Sequence, residues 1–122
     1  MKAYCAKIDD VPWVELPEPF VGNRVKSFGE QEDGPYVYLV EQAAGYTEKR
    51  HWHESDTIYI VTRGELHIDS ETEGQAVCRP GDIRWVRRGV YYVESAGPEG
   101  VEFWLIGSNG SPMMHFDSPE SE

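Results

Sequence analysis

The sequence predicts an all-β protein, a sandwich or barrel, on three observations. Short segments rich in β-branched and aromatic residues recur about every ten residues. Glycine, proline and acidic turn signals separate them. No window of about a dozen residues keeps a helical period of roughly 3.6 without a glycine or proline interrupting it.

The elements follow in order. Residues 1–22 carry Pro12, Pro17 and Pro19 with acids between, which rules out a long helix. An irregular arm with at most a short strand is expected there, pinned by Val11, Trp13, Leu16 and Phe20. Arg24–Phe28 is the first strand, and Gly29 to Pro35 is a turn. Tyr36–Ala43 (YVYLVEQA) reads as a central strand. A bend begins at Gly45, and Lys49–His53 is extended. Glu54-Ser55-Asp56 turns the chain into Thr57–Thr62. Arg63-Gly64-Glu65 is a tight connection to Leu66–Ser70, and Glu71 to Gly74 is another turn. Gln75–Cys78, Ile83–Val86 and Val90–Glu94 are short strands joined by Pro80-Gly81-Asp82 and Arg87-Arg88-Gly89. Ala96 to Gly100 is a loop, and Val101–Ile106 is the last strong strand. This gives an arm at 1–22, one β-domain at 23–107 and a flexible acidic tail at 108–122. Within that tail, Met113, Met114 and Phe116 are apolar enough to dock in a surface groove or on a partner chain.

A chain of 122 residues makes one domain with a real core. Its net charge of −11 argues against broad contact with nucleic-acid phosphates and against anionic membranes. No apolar run approaches the roughly 20 residues of a membrane span. The first residues, MKAYCAKIDDVPW, lack the continuous apolar stretch of a secretory signal, so a cytoplasmic location is expected. Cys5 and Cys78 lack metal-type spacing and are expected to be reduced.

The chemistry centres on Gly45 to Gly64, GYTEKRHWHESDTIYIVTRG. In an extended chain, residues two apart share a face, so His51 and His53 project together while Trp52 points away. Paired imidazoles on a strand suit a transition metal. They equally suit acid–base chemistry near neutral pH. If both point inward, Thr57 and Tyr59 follow them.

These residues resemble the cupin superfamily. Its first motif is a glycine, five residues, His-x-His, a glutamate four or five positions on, and a closing glycine. Gly45, His51, His53 and Gly64 stand at matching positions. In the second motif Gly81-Asp82 matches, and Gly89 matches the later glycine. The resemblance covers roughly residues 34–107 and implies a single-domain cupin-type jelly-roll β-barrel with its functional pocket inside. The sequence departs from the pattern where cupins hold metal. Thr57 stands at the glutamate position, Tyr92 at the second-motif histidine and Arg87 at that motif's proline.

Three functions follow from the resemblance. In one, His51 and His53 bind Fe, Zn, Ni, Mn or Cu, completed by Tyr92, by a carboxylate such as Glu94 or by water. That would be a dioxygenase, isomerase or lyase. Glu94, two residues from Tyr92, shares its face. In the second there is no metal: His51 or His53 is the general base and Tyr92 or Tyr59 the general acid of an isomerase or epimerase. In the third the barrel only binds or senses a ligand. The expected ligand is a small, anionic or aromatic molecule, and the expected partner is a second copy. Four arginines, Arg79, Arg84, Arg87 and Arg88, either clamp an anion at the barrel mouth or lie on a solvated surface, the second reading being preferred. His67 and His115 are expected at the surface, and Cys78 in the core.

Overall fold

A computed structural model describes residues 5–28, 34–108 and 114–118. It is built from β-strands, with one 3-10 turn at Ile8–Asp10. In chain order the strands are β1 (Val14–Glu15), β2 (Asn23–Phe28), β3 (Tyr36–Gln42), β4 (Thr47–His53), β5 (Thr57–Ser70), β6 (Gly74–Cys78), β7 (Ile83–Val86), β8 (Tyr92–Gly107) and β9 (Met114–His115). All pairings are antiparallel. The sheet runs β1-β2-β3-β8-β4-β9, and β5 joins β8 while also pairing β6 and β7. The expected all-β barrel is therefore the observed one.

The long strand β8 is the spine. Its first part pairs with β4 and with the second half of β5; its second part pairs with β3 and with the first half of β5. Here the structure corrects two expectations. Arg63-Gly64-Glu65 and Ala96 to Gly100, read as connections, are irregularities inside continuous strands. The register passes from Gly64 opposite Val101 to Leu66 opposite Ala96, so Gly97 to Gly100 bulge out against Glu65. Turn-forming residues serve equally well in bulges, which bend a strand without ending it. The bulge also accepts Pro98, which has no N–H to donate to a ladder.

Alternation sorts the strands. Tyr36, Tyr59, Val61, Leu66, Tyr92, Val101 and Phe103 point inward and are almost wholly buried. The Glu54-Ser55-Asp56 bend keeps the phase, because Thr57 and Tyr59 are both buried, as are His51 and His53. The outward neighbours include Ile58 and Ile60, which lie opposite Trp85 and Ile83 on one side and Ile106 and Trp104 on the other. Ile83 and Trp85 are 67% and 63% exposed, so this outer face ends in an uncovered apolar edge.

The described segments before β2 and after β8 fold back on the barrel. Trp13 packs on the Arg24 guanidinium at 4.4 Å, and β1 extends the sheet beyond β2. At the other end β9 pairs with Trp52 and His53 of β4. There the Trp52 indole donates to the Asp117 carbonyl at 2.7 Å, and the Tyr91 hydroxyl to the Phe116 carbonyl at 3.2 Å. His115 stacks on Trp52 at 4.3 Å and meets Glu54 at 2.8 Å. Met113 lies outside the described residues. Cys78 is buried and Cys5 exposed.

Candidate functional site

A cavity of about 620 Å3 opens inside the barrel between β2, β3, β4 and β8. Its walls are apolar over most of their extent, from Val25, Val40, Phe103 and Leu105. Phe20 of the arm and Phe116 of the tail lie across it, their rings 6.5 Å apart. The polar groups gather at one end: His51, His53, Tyr59 and Glu94, with Glu48 and Gln42 beside them.

Strand geometry sets this gathering. His51 and His53 share the inward face of β4, and β4 pairs with β8 at His51 opposite Tyr92 and Glu48 opposite Glu94. The same face of β5 supplies Tyr59. The His51 and His53 rings meet edge to face at 4.9 Å, and the His51 ring lies 4.5 Å from that of Tyr92. His51 is wholly buried, and its Nδ1 lies 2.7 Å from the Lys49 carbonyl. A carbonyl only accepts, so Nδ1 carries the proton and Nε2 is left as a bare acceptor with no hydrogen-bond partner.

A directed chain of hydrogen bonds runs to Glu94. The Tyr59 hydroxyl donates to Glu94 Oε1 at 3.1 Å, which spends its only proton. The 2.5 Å contact between the Tyr92 and Tyr59 hydroxyls is therefore donated by Tyr92. The 3.1 Å contact between His53 Nε2 and Tyr92 is then donated by His53. Glu94 Oε2 has no hydrogen-bond partner.

The titration of the site follows from burial. Burial lowers the His51 imidazole to about 4, and neighbouring His53 lowers it further against the Lys49 hydrogen bond. Burial, then the nearby Glu48 carboxylate, raises Glu94 to about 8 against the Tyr59 hydrogen bond and Arg84. Burial also raises both Tyr59 and Tyr92 well above the ordinary phenol value. His51 Nε2 is 3.6 Å from Glu94 Oε1. An ion pair there would need two charges that burial disfavours, so the pair rests as neutral imidazole beside protonated carboxyl. With Oε1 accepting from Tyr59, the proton sits on Oε2.

These residues do not fit the four-ligand metal shell that the resemblance implies. Thr57 donates to the Ser55 carbonyl at 3.3 Å and accepts from Tyr36 at 3.4 Å. Tyr92 is a phenol whose ionisation is strongly opposed. His53 Nε2 is committed as a donor to it. Among the described residues no three His, Cys, Asp or Glu side chains are grouped to hold a metal.

The sequence reading brought together His51, His53, Tyr59 and Tyr92, and the structure places all four within one hydrogen-bonded cluster. Tyr92 stands behind the cavity rather than in its lining. The acid partner, Glu94, was visible only through its two-residue spacing from Tyr92, and Glu48 and Gln42 gave no signal. Of the arginines, Arg79 and Arg87 are largely exposed, whereas Arg84 is buried and bonds twice to Glu73, at 2.8 and 2.6 Å. A buried arginine with a bidentate carboxylate is already neutralised, and Arg84 does not line the cavity.

Comparison with known proteins agrees with the fold. Residues 1–102 match the model of the ChrR cupin-like domain. No curated protein matches the chain. Among solved structures, KdgF from Halomonas sp. is 17% identical with a TM-score of 0.76, covering 88% of this chain and 94% of its own. The polyketide cyclase RemF from Streptomyces resistomycificus is 17% identical with a TM-score of 0.78, covering 94% and 85%. A putative acetylacetone dioxygenase from Methylibium petroleiphilum is 18% identical with a TM-score of 0.78, covering 100% and 85%. At these identities the likeness is one of fold.

Proposed function

Because the chain belongs to the ChrR cupin-like family, within the cupin superfamily, we propose that its barrel cavity is an active site for a small molecule, and that the reaction is a metal-free proton transfer of the isomerase type. One observation carries this reading: the unpartnered His51 Nε2 stands 3.6 Å from Glu94, whose own Oε2 is also unpartnered. A base with a free lone pair and an acid holding its proton divide the two roles such a reaction needs.

The step balances without an oxidant. His51 Nε2 takes a proton from carbon next to a carbonyl as that C–H bond breaks. Glu94 Oε2 gives its proton to the carbonyl oxygen as the enol forms. The imidazolium and carboxylate left behind lie 3.6 Å apart and stabilise one another, and Tyr59 donates to the new carboxylate. Return of the proton from His51 to a different carbon, or to the other face, as Glu94 takes back the enol O–H proton, gives the isomer and restores both groups. Tyr92 and His53 are positioning residues, since they hold Tyr59 aimed at Glu94.

The test is a pH profile of kcat/KM on enolisable carbonyl compounds, with chelator present and absent. Activity should rise through about 4 as His51 loses its proton and fall through about 8 as Glu94 loses its own. Chelator should leave the curve unchanged, and His51→Ala should cost roughly 100- to 10,000-fold. Activity that requires a stoichiometric metal on His51 and His53 would replace this reading with the metal-dependent one. Ligand affinity without turnover would leave a binding module.

The second copy expected from the sequence belongs on the outer apolar face. The chain carries 22 acidic residues, yet Ile58, Ile60, Ile83, Trp85, Trp104 and Ile106 lie side by side as an apolar patch, with Asp56, paired to Arg87, at its Trp85 end. Two copies of net charge −11 repel each other least there, and an apolar patch complements itself across a two-fold axis. Sedimentation should show a dimer for the parent and a monomer for Trp85→Glu. A monomeric parent at high micromolar concentration refutes the placement.

A further inference from the structure

Among the described residues, the cavity lining contains no lysine and no arginine. Arg84, the buried cation nearest the site, is turned onto Glu73 and packs its guanidinium against the Tyr92 ring at 5.7 Å. Lys49 is exposed, with its Nζ over the Phe116 ring at 5.3 Å. The polar end instead presents acceptors. Glu94 Oε2 and Gln42 Oε1 are both unpartnered, on side chains that are 4% and 3% exposed and that line the cavity. Glu94 Oε2 carries its proton, so the bare acceptors are Gln42 Oε1 and His51 Nε2, and Glu48 stands beside them as a second carboxyl.

Acceptors buried without partners are costly, and a ligand that donates to them recovers that cost. An anion brings the opposite. It finds no cation to pair with among the described lining residues, it faces the bare acceptors of Gln42 and His51, and it approaches through the field of a chain of net charge −11. The rest of the cavity is built for an apolar body. Phe103 and Leu105 form one wall, and the rings of Phe20 and Phe116 lie across it.

We propose that the cavity selects a ring-sized apolar molecule bearing hydroxyl or amine donors and no acidic group, the donors meeting Gln42 Oε1 and His51 Nε2 and the ring lying among the phenylalanines. This names the ligand class of the proposed active site and rests on that reading only in using the same cavity. Of the small, anionic or aromatic ligand expected from the sequence it keeps the aromatic alternative, since Arg79, Arg84 and Arg87 do not line the cavity.

The test is a matched set of probes on one ring: benzyl alcohol, benzylamine and benzoate, each titrated into the full-length protein by calorimetry or by shifts of the Phe116 and Gln42 resonances. The alcohol and the amine should bind, and benzoate should bind at least about tenfold more weakly. In Gln42→Leu the alcohol and amine should lose affinity while benzoate does not, which narrows the gap. The parent's ranking decides the matter even if that variant fails to fold. Benzoate binding as tightly as the other two overturns the inference, as does failure of all three to bind at millimolar concentration. Donor preference with no turnover of any enolisable compound would sink the acid–base reading and leave this one standing. Turnover of a carboxylate with no donor preference would do the reverse.

Discussion

Glu94→Gln is expected to abolish the loss of stability that the parent protein suffers as pH rises from about 6.5 to about 8. Folding raises Glu94 from 4.5 to about 8, so over that interval the unfolded chain releases a proton that the folded one keeps. Its contribution is therefore fully present below about 4.5 and lost as pH rises through about 8. His51 has the opposite sign. Folding lowers it from 6.5 to about 4, so its contribution is present above about 6.5 and lost as pH falls through about 4. Between about 4.5 and 6.5 the two slopes cancel, and the parent is near its maximum stability. Above that, Glu94 acts alone, and the decline by about pH 8 is about 2 kcal/mol. In the glutamine variant the curve should stay flat there. On the acid side His51 is unopposed, and stability should climb by about 3 kcal/mol between about pH 4 and 6.5. Urea unfolding at a series of pH values reads both slopes. Parallel curves for parent and variant above about pH 6.5 would mean that Glu94 is ionised in the folded protein. It could not then be the acid of the proposed reaction. The glutamine still accepts from Tyr59, so the variant tests the proton rather than the packing. Its turnover should fall roughly 100- to 10,000-fold.

A larger structural penalty is expected at Gly64. Its φ is +76°, and a Cβ there would stand 2.1 Å from the Gly100 carbonyl oxygen, which is backbone and cannot rotate away. Gly64→Ala should cost about 3–5 kcal/mol, the sum of left-handed strain and overpacking. Gly74 separates the two contributions. Its φ is +71°, yet nothing lies within 4 Å of its Cβ position. Gly74→Ala should cost only the strain, about 1–2 kcal/mol. Equal losses in the two variants, measured by denaturant unfolding, would show that the β5–β8 crossing relaxes readily. The long-strand spine would then not depend on that close approach.

The two glycines also show where local reading stops. Gly64 and the Ala96 to Gly100 segment both carry turn signals, which in the sequence alone read as chain reversals. A glycine with positive φ serves a hairpin turn and a bulge alike. Which one forms depends on what lies opposite, and here that is the other bulge, about thirty-six residues along the chain. The same limit applies to Arg84. Within its cluster it looks like Arg79 and Arg87, and only the inward phase of β7 and the position of Glu73 distinguish it.

The all-β class, the inward pairing of His51 with His53, and the inward phase of Tyr59 were legible from residue types and a period of two, because these depend on neighbours along one strand. The likeness to cupins was legible because its glycines and histidines recur at matching spacings. The identity of the acid was not. Glu94 becomes an acid because folding removes water from around it and brings the Glu48 carboxylate beside it, and the strands that do so are far apart in sequence. A carboxyl's charge is set by its surroundings in space, and no spacing along the chain records them.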